Sequence, residues 1–260
     1  MSSTITFLGT GTSVGVPVIG CPCPVCTSSD PRNNRTRSSI SLETPETTLL
    51  IDSGPDLREQ ALREGLTQVD QVIYTHDHAD HVVGFDELRA FCWRREDALP
   101  LHGSANTLAT LERMFPWAFG NTARNYVRPD PRRFEDYTEF SLPGIRVLPL
   151  PVIHGANPTH GLLFTLASGY RFAYLPDVKV IPPESMAHLA SLDLLIIDAL
   201  RHLEHPTHMS LSEALATSAT LSPRATLLTH LTHDLDYEET SLTLPPTVAI
   251  AYDGLKVDLP

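Results

Sequence analysis

His76-Asp77-His78-Ala79-Asp80-His81 follows the apolar run Gln71-Val72-Ile73-Tyr74 across Thr75, and this junction decides how the chain is read. A short run rich in β-branched and aromatic residues that stops at polar ones reads as a buried strand. Three imidazoles and a carboxylate within one turn of a strand end can converge on metal ions. Imidazole combined with carboxylate suits Zn²⁺, Mn²⁺ or Fe rather than Ca²⁺ or Mg²⁺, which favour oxygen ligands. The bland alternative is a polar loop that happens to be His-rich, but with 12 His in 260 residues a chance string of this form is improbable.

The same junction recurs along the chain. Residues 5–8 (ITFL) run into Gly9-Thr-Gly11-Thr-Ser13, and 48–51 (TLLI) into Asp52. Residues 145–153 end at His154, 172–175 (FAYL) at Pro176-Asp177, 194–197 (LLII) at Asp198, and 226–229 (TLLT) at His230. Helical signals lie between them. Residues 56–64 carry Leu57, Ala61 and Leu62 on one face behind Pro55, and 106–115 carry Leu108, Leu111, Met114 and Phe115 at helical spacing before Pro116. Ser210 followed by Glu213 is a capping-box pattern. Strands and helices mixed throughout predict an α/β class in a single domain over residues 1–260. No repeat, low-complexity tract or linker interrupts it, and residues 120–136, with four Arg and three acids, read as an exposed connection.

Composition narrows the function classes. With 19 Lys+Arg against 31 Asp+Glu the formal net charge is −12, which argues against gripping a nucleic-acid backbone, because phosphate contacts need Lys or Arg. A small anionic substrate remains compatible, since bound cations can dominate a local field. The N-terminal stretch lacks a basic leader and an apolar h-region, and no run approaches the roughly 18 apolar residues a membrane helix needs. Cys21, Cys23 and Cys26 crowd into CPCPVC while Cys92 stands alone in a helical pattern; this suggests a metal site and a buried thiol in a reducing cytoplasm rather than disulfides. Gly9-x-Gly11-x-x-x-Gly15 misses the dinucleotide fingerprint and the P-loop, and reads as a turn feeding the cysteine loop.

At the His-rich string the sequence resembles the metallo-β-lactamase-fold hydrolases, whose fold is a four-layer αββα sandwich. The resemblance implies that His76, His78 and His154 hold one metal, that Asp80, His81 and His230 hold a second, and that Asp177 bridges them. Asp52, in LLIDSG, would orient a ligand from behind. His160 competes with His154 but opens a fresh strand, GLLFTL; Asp198 competes with Asp177, whose Tyr-Leu-Pro-Asp segment matches the family pattern better. The glycine string with CPCPVC, joined to Leu-Thr-His230-Leu-Thr-His233, looks like the PhnP branch, in which three Cys and one His bind a structural zinc. That implies Cys21, Cys23, Cys26 and His233 here, with the zinc loop near residues 20–27. His208, before Met-Ser-Leu-Ser-Glu-Ala, matches that branch's acid–base histidine; His202 and His205 have no assigned role, and His102 and His188 read as structural or exposed.

The function implied is a metal-dependent phosphodiesterase with two divalent ions, Zn or Mn, plus one structural Zn. Two such ions about 3.5–4 Å apart lower the pKa of a bridging water so that hydroxide attacks the phosphorus. Asp80 and His208 would serve the chemistry directly. The implied substrate is a small cyclic phosphate, phosphoribosyl 1,2-cyclic phosphate or a relative, opening to a monophosphate, with homodimerisation plausible by the same resemblance. A thioester or lactone hydrolase of the same fold is the rival reading, and a binding or carrier protein a more distant one.

Overall fold

The computed structural model describes residues 3–93, 95–119 and 127–260. Two seven-stranded sheets form its centre. The first is built from β1 (Ser3–Gly9), β2 (Ser39–Glu43), β3 (Thr48–Ile51), β4 (Gln71–Ile73), β5 (Leu99–Gly103), β6 (Pro129–Arg133) and the last strand of the chain, β14 (Lys256–Leu259), in the order β14-β1-β2-β3-β4-β5-β6. The second contains β7 (Phe140–Leu142), β8 (Ile145–His154), β9 (Asn157–Leu166), β10 (Arg171–Leu175), β11 (Leu194–Asp198), β12 (Ala225–Thr229) and β13 (Val248–Ile250), in the order β13-β12-β11-β10-β9-β8-β7.

Three separate apolar cores define the layers. Between the sheets lie Phe7, Ile40 and Ile51 of the first against Phe164, Phe172 and Ile196 of the second. Outside the first sheet, Leu50, Val72 and Leu101 meet Leu57, Phe91 and Leu111 from α1 (Leu57–Glu64), α3 (Arg89–Cys92) and α4 (Ala105–Met114); α2 (Ala79–Val82) adds Val82. Outside the second sheet, Ala173, Leu195 and Leu228 meet residues of α5 (Pro183–His188), α6 (Leu211–Leu221) and α7 (Tyr237–Ser241). The order is therefore helices, sheet, sheet, helices, the αββα sandwich expected from the sequence. Strands such as β11 read as unbroken apolar runs because both of their faces are covered.

The helix ends follow their sequence signals. α1 closes on Gly65 in the left-handed region at φ 71, where a side chain would be strained. The Ser210–Glu213 capping box is formed, with both reciprocal hydrogen bonds present. Prolines occur where a missing N–H costs no ladder bond: β6 is an edge strand carrying Pro129 and Pro131, and Pro149 and Pro151 lie where β8 has outrun β7. This corrects the reading of residues 120–136 as one connection, because 129–133 form that edge strand; residues 120–126 fall outside the described residues. A second correction concerns β9, which begins at Asn157, so His160 lies inside the strand instead of opening it.

β3 to β6 are mutually parallel, as are β10 to β13. In such sheets ligands collect outside the carboxyl ends of the strands. The glycine loop after β1 joins the two sheets there: Gly11 bridges to both Arg37 and Leu231. A side chain at Gly11 would meet the Arg35 carbonyl oxygen at 2.6 Å, and one at Gly9 would strike that of Arg37. Their role is close backbone approach.

Candidate metal centres

Each residue singled out beyond a strand end is carried to the same rim. His76 and His78 follow β4 in the loop that leads to α2; His78, with extended backbone, is the N-cap of α2, whose first turn supplies Asp80 and His81. His154 ends β8, Asp177 lies two residues past β10, and His230 follows β12 with φ 59, a left-handed conformation unusual for a side-chain-bearing residue.

Two groups result. In the first, the ligand atoms of His76, His78, His154 and Asp177 all lie within 4.8 Å of one another; in the second, those of His81, Asp177 and His230 do. Asp177 belongs to both, and its two oxygens divide between them. Oδ2 is 3.7 Å from His76 Nε2 and 3.5 Å from His154 Nε2, whereas Oδ1 is 3.2 Å from His81 Nε2 and 3.2 Å from His230 Nδ1. Asp80 stands at the margin of the second group, its Oδ2 3.4 Å from His81 Nε2.

The imidazoles are held in one tautomer from behind. His154 Nδ1 donates to the Thr207 carbonyl at 2.8 Å. His81 Nδ1 bonds to Asp52 Oδ2 at 2.8 Å, and Asp52 is itself fixed by the amide and hydroxyl of Thr75, each at 2.8 Å. Since the Thr75 hydroxyl donates to Asp52, its oxygen accepts from His76 Nδ1 at 3.0 Å. His76 and His81 thereby turn inward an Nε2 that makes no hydrogen bond, and His154 turns inward an Nε2 that meets His78 Nδ1 at 3.2 Å, the orientation that metal-binding histidines use.

Four buried atoms at this point, His76 Nε2, His81 Nε2, Asp177 Oδ1 and His230 Nδ1, make no hydrogen bond. Leaving such groups unsatisfied costs about 1–3 kcal/mol each, so their concentration at one spot fits a site built for cations. Charge points the same way. Burial depresses the proton affinity of His76, and that of His230 to about 3. Burial also disfavours a charge on His81, yet Asp177, Asp80 and Asp52 raise its pKa well above the ordinary value. The field that retains a proton there is the field a divalent cation would meet.

His208 stands beside these groups, its ring centroid 4.5 Å from that of His154 and 4.8 Å from that of His230. Its Nδ1 is 2.6 Å from Oδ2 of the fully buried Asp198. Burial lowers the pKa of His208, but the Asp198 carboxylate outweighs it and raises the net value. Asp198 is thus the partner of His208 rather than a rival of Asp177. His78, Asp80, His154, Asp177, His208 and His230 line a cavity of about 560 Å³. That volume is in the range of roughly 300–1,000 Å³ typical of small-molecule sites. No Lys or Arg among the described residues lines it.

A separate centre forms where the cysteine loop meets His233. Its Nδ1 is 3.3 Å from Cys21 Sγ, 3.5 Å from Cys23 Sγ and 3.3 Å from Cys26 Sγ. Tetrahedral zinc with bonds near 2.3 Å to sulfur and 2.0–2.1 Å to nitrogen implies an S···N edge of about 3.6 Å, so this donor set fits the ion. The amide of Cys26 donates to Cys23 Sγ, and this contact leads the lowering of the Cys23 pKa to about 7. Arg35, fully buried, holds the turn bearing His233 through the carbonyls of Thr232 and Leu235, each at 2.6 Å. Cys92 lies away from this loop, in the core outside the first sheet.

The remaining histidines lie outside both centres. His160 bonds through Nε2 to Asp136 at 2.9 Å, and His102 is buried on β5 against Gln71. His205 accepts from Thr207 and packs beside His208, while His188 and His202 are exposed. Asp198, Thr75, Thr207 and Arg35 carry positions the sequence reading did not give them. Only Asp198, a carboxylate ending an apolar run, left a local signal.

Residues 47–231 match a family model described as "Beta-lactamase superfamily domain", and the chain belongs to that superfamily, as a metallo-β-lactamase-fold hydrolase. Within it the chain is PhnP-like: a crystal structure described as a new diphosphatase from the PhnP family superposes with a TM-score of 0.92 at 40% identity, covering 100% of this chain and 98% of that one. A curated octanoyltransferase of Porphyromonas gingivalis is 35% identical over 96% of this chain, which spans 50% of that protein's length. A coenzyme PQQ synthesis protein B of Methylobacterium radiotolerans is 30% identical over 75% of this chain and 72% of that protein. No helix among the described residues is long and apolar enough to cross a membrane.

Proposed function

We propose that the chain hydrolyses a phosphodiester linkage in a small substrate, with Zn²⁺ or Mn²⁺ ions held by His76, His78 and His154 on one side and by Asp80, His81 and His230 on the other. The observation that carries this reading is the division of the Asp177 carboxylate between two imidazole groups, with His76 Nε2, His81 Nε2 and His230 Nδ1 all lacking hydrogen bonds. A pair of divalent ions supplies an activated water oxygen and positive charge where the phosphate accumulates negative charge. Without them, Asp80 and Asp177 would repel an anion from a cavity that no Lys or Arg among the described residues lines.

The side chains do the rest. Asp52, Thr75 and the Thr207 carbonyl hold the ligand rings in the tautomer that leaves Nε2 free. His208, with Nδ1 on Asp198, has Nε2 left to protonate the departing oxygen, and Asp198 stabilises the imidazolium before that transfer. An alkoxide leaving group needs such a donor; a thiolate does not, which favours an oxygen ester over a thioester. His208→Ala should lower kcat by about 10²-fold, at the low end of the range for general acids. Asp198→Asn should give a smaller loss, and for both variants the loss should shrink for a p-nitrophenolate leaving group. An equal loss with all leaving groups would remove His208 from the proton transfer.

The family resemblance supports a five-membered cyclic phosphate of ribose, phosphoribosyl 1,2-cyclic phosphate, as substrate. A P–O–P linkage is the second reading, favoured by the 40% identity to a diphosphatase. The deciding experiment assays metal-loaded protein side by side on bis-p-nitrophenyl phosphate, a ribose cyclic phosphate, an organic diphosphate, a lactone and a glutathione thioester. Phosphorus substrates should be turned over and the activity lost to a chelator. Faster turnover of the carbonyl substrates would overturn the proposal.

A further inference from the structure

The cavity at the metal groups continues into a second one. Ser13 and Asp80 line both, and the second, about 450 Å³, is walled by Val14, Val18, Ile19 and Val83, with Arg37 beside them. Two of its features are unusual for a surface cleft. Three of the four apolar side chains are strongly solvent-exposed, Val14 at 57%, Val83 at 42% and Ile19 fully. Exposed apolar groups clustered beside a polar site mark binding surfaces more often than chance.

The second feature is the guanidinium. Among the described residues, Arg37 is the only Lys or Arg lining either cavity, in a chain of net charge −12. Asp56 pairs with it: one carboxylate oxygen lies 2.9 Å from Arg37 Nε, outside hydrogen-bond geometry, and accepts from the Arg37 amide at 2.8 Å. Among the described residues the two outer Nη groups make no hydrogen bond. The fork lines the cavity with its outer pair of donors free, and a free pair of Nη donors is what Arg uses to recognise phosphate oxygens. Arg37 is also close to the metal rim. Gly54 separates it from Asp80, for a side chain on Gly54 would strike the Asp80 carbonyl and lie 3.5 Å from Arg37 Cβ.

We infer that this side cavity binds the distal half of the substrate: Arg37 takes a second phosphate that is not itself attacked, and the Val14–Val18–Ile19–Val83 wall takes a flat apolar group such as a nucleobase or aryl ring. The inference rests on the proposed phosphorus-hydrolysing site and takes up the second of its two substrate readings, an organic diphosphate, which it specifies by what holds the half that is not attacked. In that reaction the water oxygen forms a new bond to the phosphorus at the metal groups. The bond from that phosphorus to the bridging oxygen breaks, and its electron pair leaves with the distal phosphate. Two monophosphates result, and of the two protons of water one is released and one is retained by a product oxygen.

The test compares wild type, R37Q, R37K and V14S/I19S in metal-loaded form, with ADP-ribose as the diphosphate and bis-p-nitrophenyl phosphate as the diester lacking a second phosphate. R37Q should lower kcat/KM for ADP-ribose at least tenfold more than for bis-p-nitrophenyl phosphate, mainly through KM, and R37K should restore part of the difference. Calorimetric binding of α,β-methylene-ADP should weaken about tenfold in R37Q and several-fold in V14S/I19S, a readout independent of turnover. A melting curve on each variant separates misfolding from lost recognition, and V14S/I19S tests the wall should R37Q fail to fold. If wild type turns over neither of these two phosphorus substrates nor a ribose cyclic phosphate, the underlying functional reading fails. If bis-p-nitrophenyl phosphate is cleaved but ADP-ribose and the methylene analogue are neither bound nor discriminated by Arg37, this inference alone is overturned. A second phosphate could also come from a ribose 5-phosphate on a cyclic substrate. Preference for that compound over ADP-ribose, with V14S/I19S silent, would retain Arg37 but overturn the apolar subsite.

Discussion

Under the proposed ligand assignment, Asp177→Asn is expected to abolish turnover and to reduce the metal content of purified protein from the proposed three ions per chain to one. The side chain is almost fully buried, and its two oxygens face different imidazole groups. An amide of the same shape keeps one neutral acceptor but removes the negative charge, and turns an NH₂ toward lone pairs that already lack partners. Both cations then lose their common counter-charge. Without them the water oxygen returns to a pKa near 15.7 instead of about 7, so kcat should fall by at least about 10³-fold. Ions that bind the folded state raise its melting temperature by mass action, so added Zn²⁺ or Mn²⁺ should stabilise wild type but not this variant. Far-ultraviolet circular dichroism should remain native. Retained turnover together with retained metal-dependent melting would refute the assignment.

Cys23→Ser should show the opposite pattern, with the larger effect on stability. The Cys23 thiol and its two neighbours surround a His more than two hundred residues further along the chain, so a zinc ion there closes a very long loop. Small zinc domains derive about 10–16 kcal/mol from such ions. A chain with three other cores should lose less, on the order of 3–5 kcal/mol, and at about 2–4 °C per kcal/mol for a domain of this size the melting temperature should drop by about 10 °C. The loop also carries Val18 and Ile19 at the cleft, so any residual activity should show a raised KM more than a lowered kcat. Unchanged melting with lost turnover would mean that the structural and catalytic roles are reversed.

The fold was legible because the strands that carry the site are buried on both faces and end abruptly at polar residues. The runs ending at Asp52, Thr75, His154, Asp177, Asp198 and His230 are strands in the structure, and the capping box at Ser210 is formed. The strands that were not legible are short, edge-lying or proline-bearing, such as β5 (LPLHG), β6 (PDPRR) and β14 (KVDL), where tertiary pairing rather than local pattern makes the strand. At the site, the groups that face the cavity could be read because each belongs to a motif. Their supports could not. Asp198 reaching His208, or Arg35 reaching the carbonyls around His233, depends on which strand ends become neighbours. No spacing along the chain encodes that. Arg37 is a further case: it belongs to no motif in the sequence, and its place at the cleft beside Gly15 and Gly54 comes from tertiary packing.

The groups around Asp177 come from both halves of the sandwich: His76, His78, Asp80 and His81 follow a strand of the first sheet, and His154, Asp177 and His230 follow strands of the second. Under the proposed ligand assignment, neither half possesses a catalytic centre of its own, and each cation acts as a rivet across the seam. The spacing of the rivets is set by how the two sheets seat against each other through Phe7, Phe164 and their neighbours. A substitution deep in that interior, far from any ligand, would reach the chemistry by shifting one half of the rivet hole relative to the other.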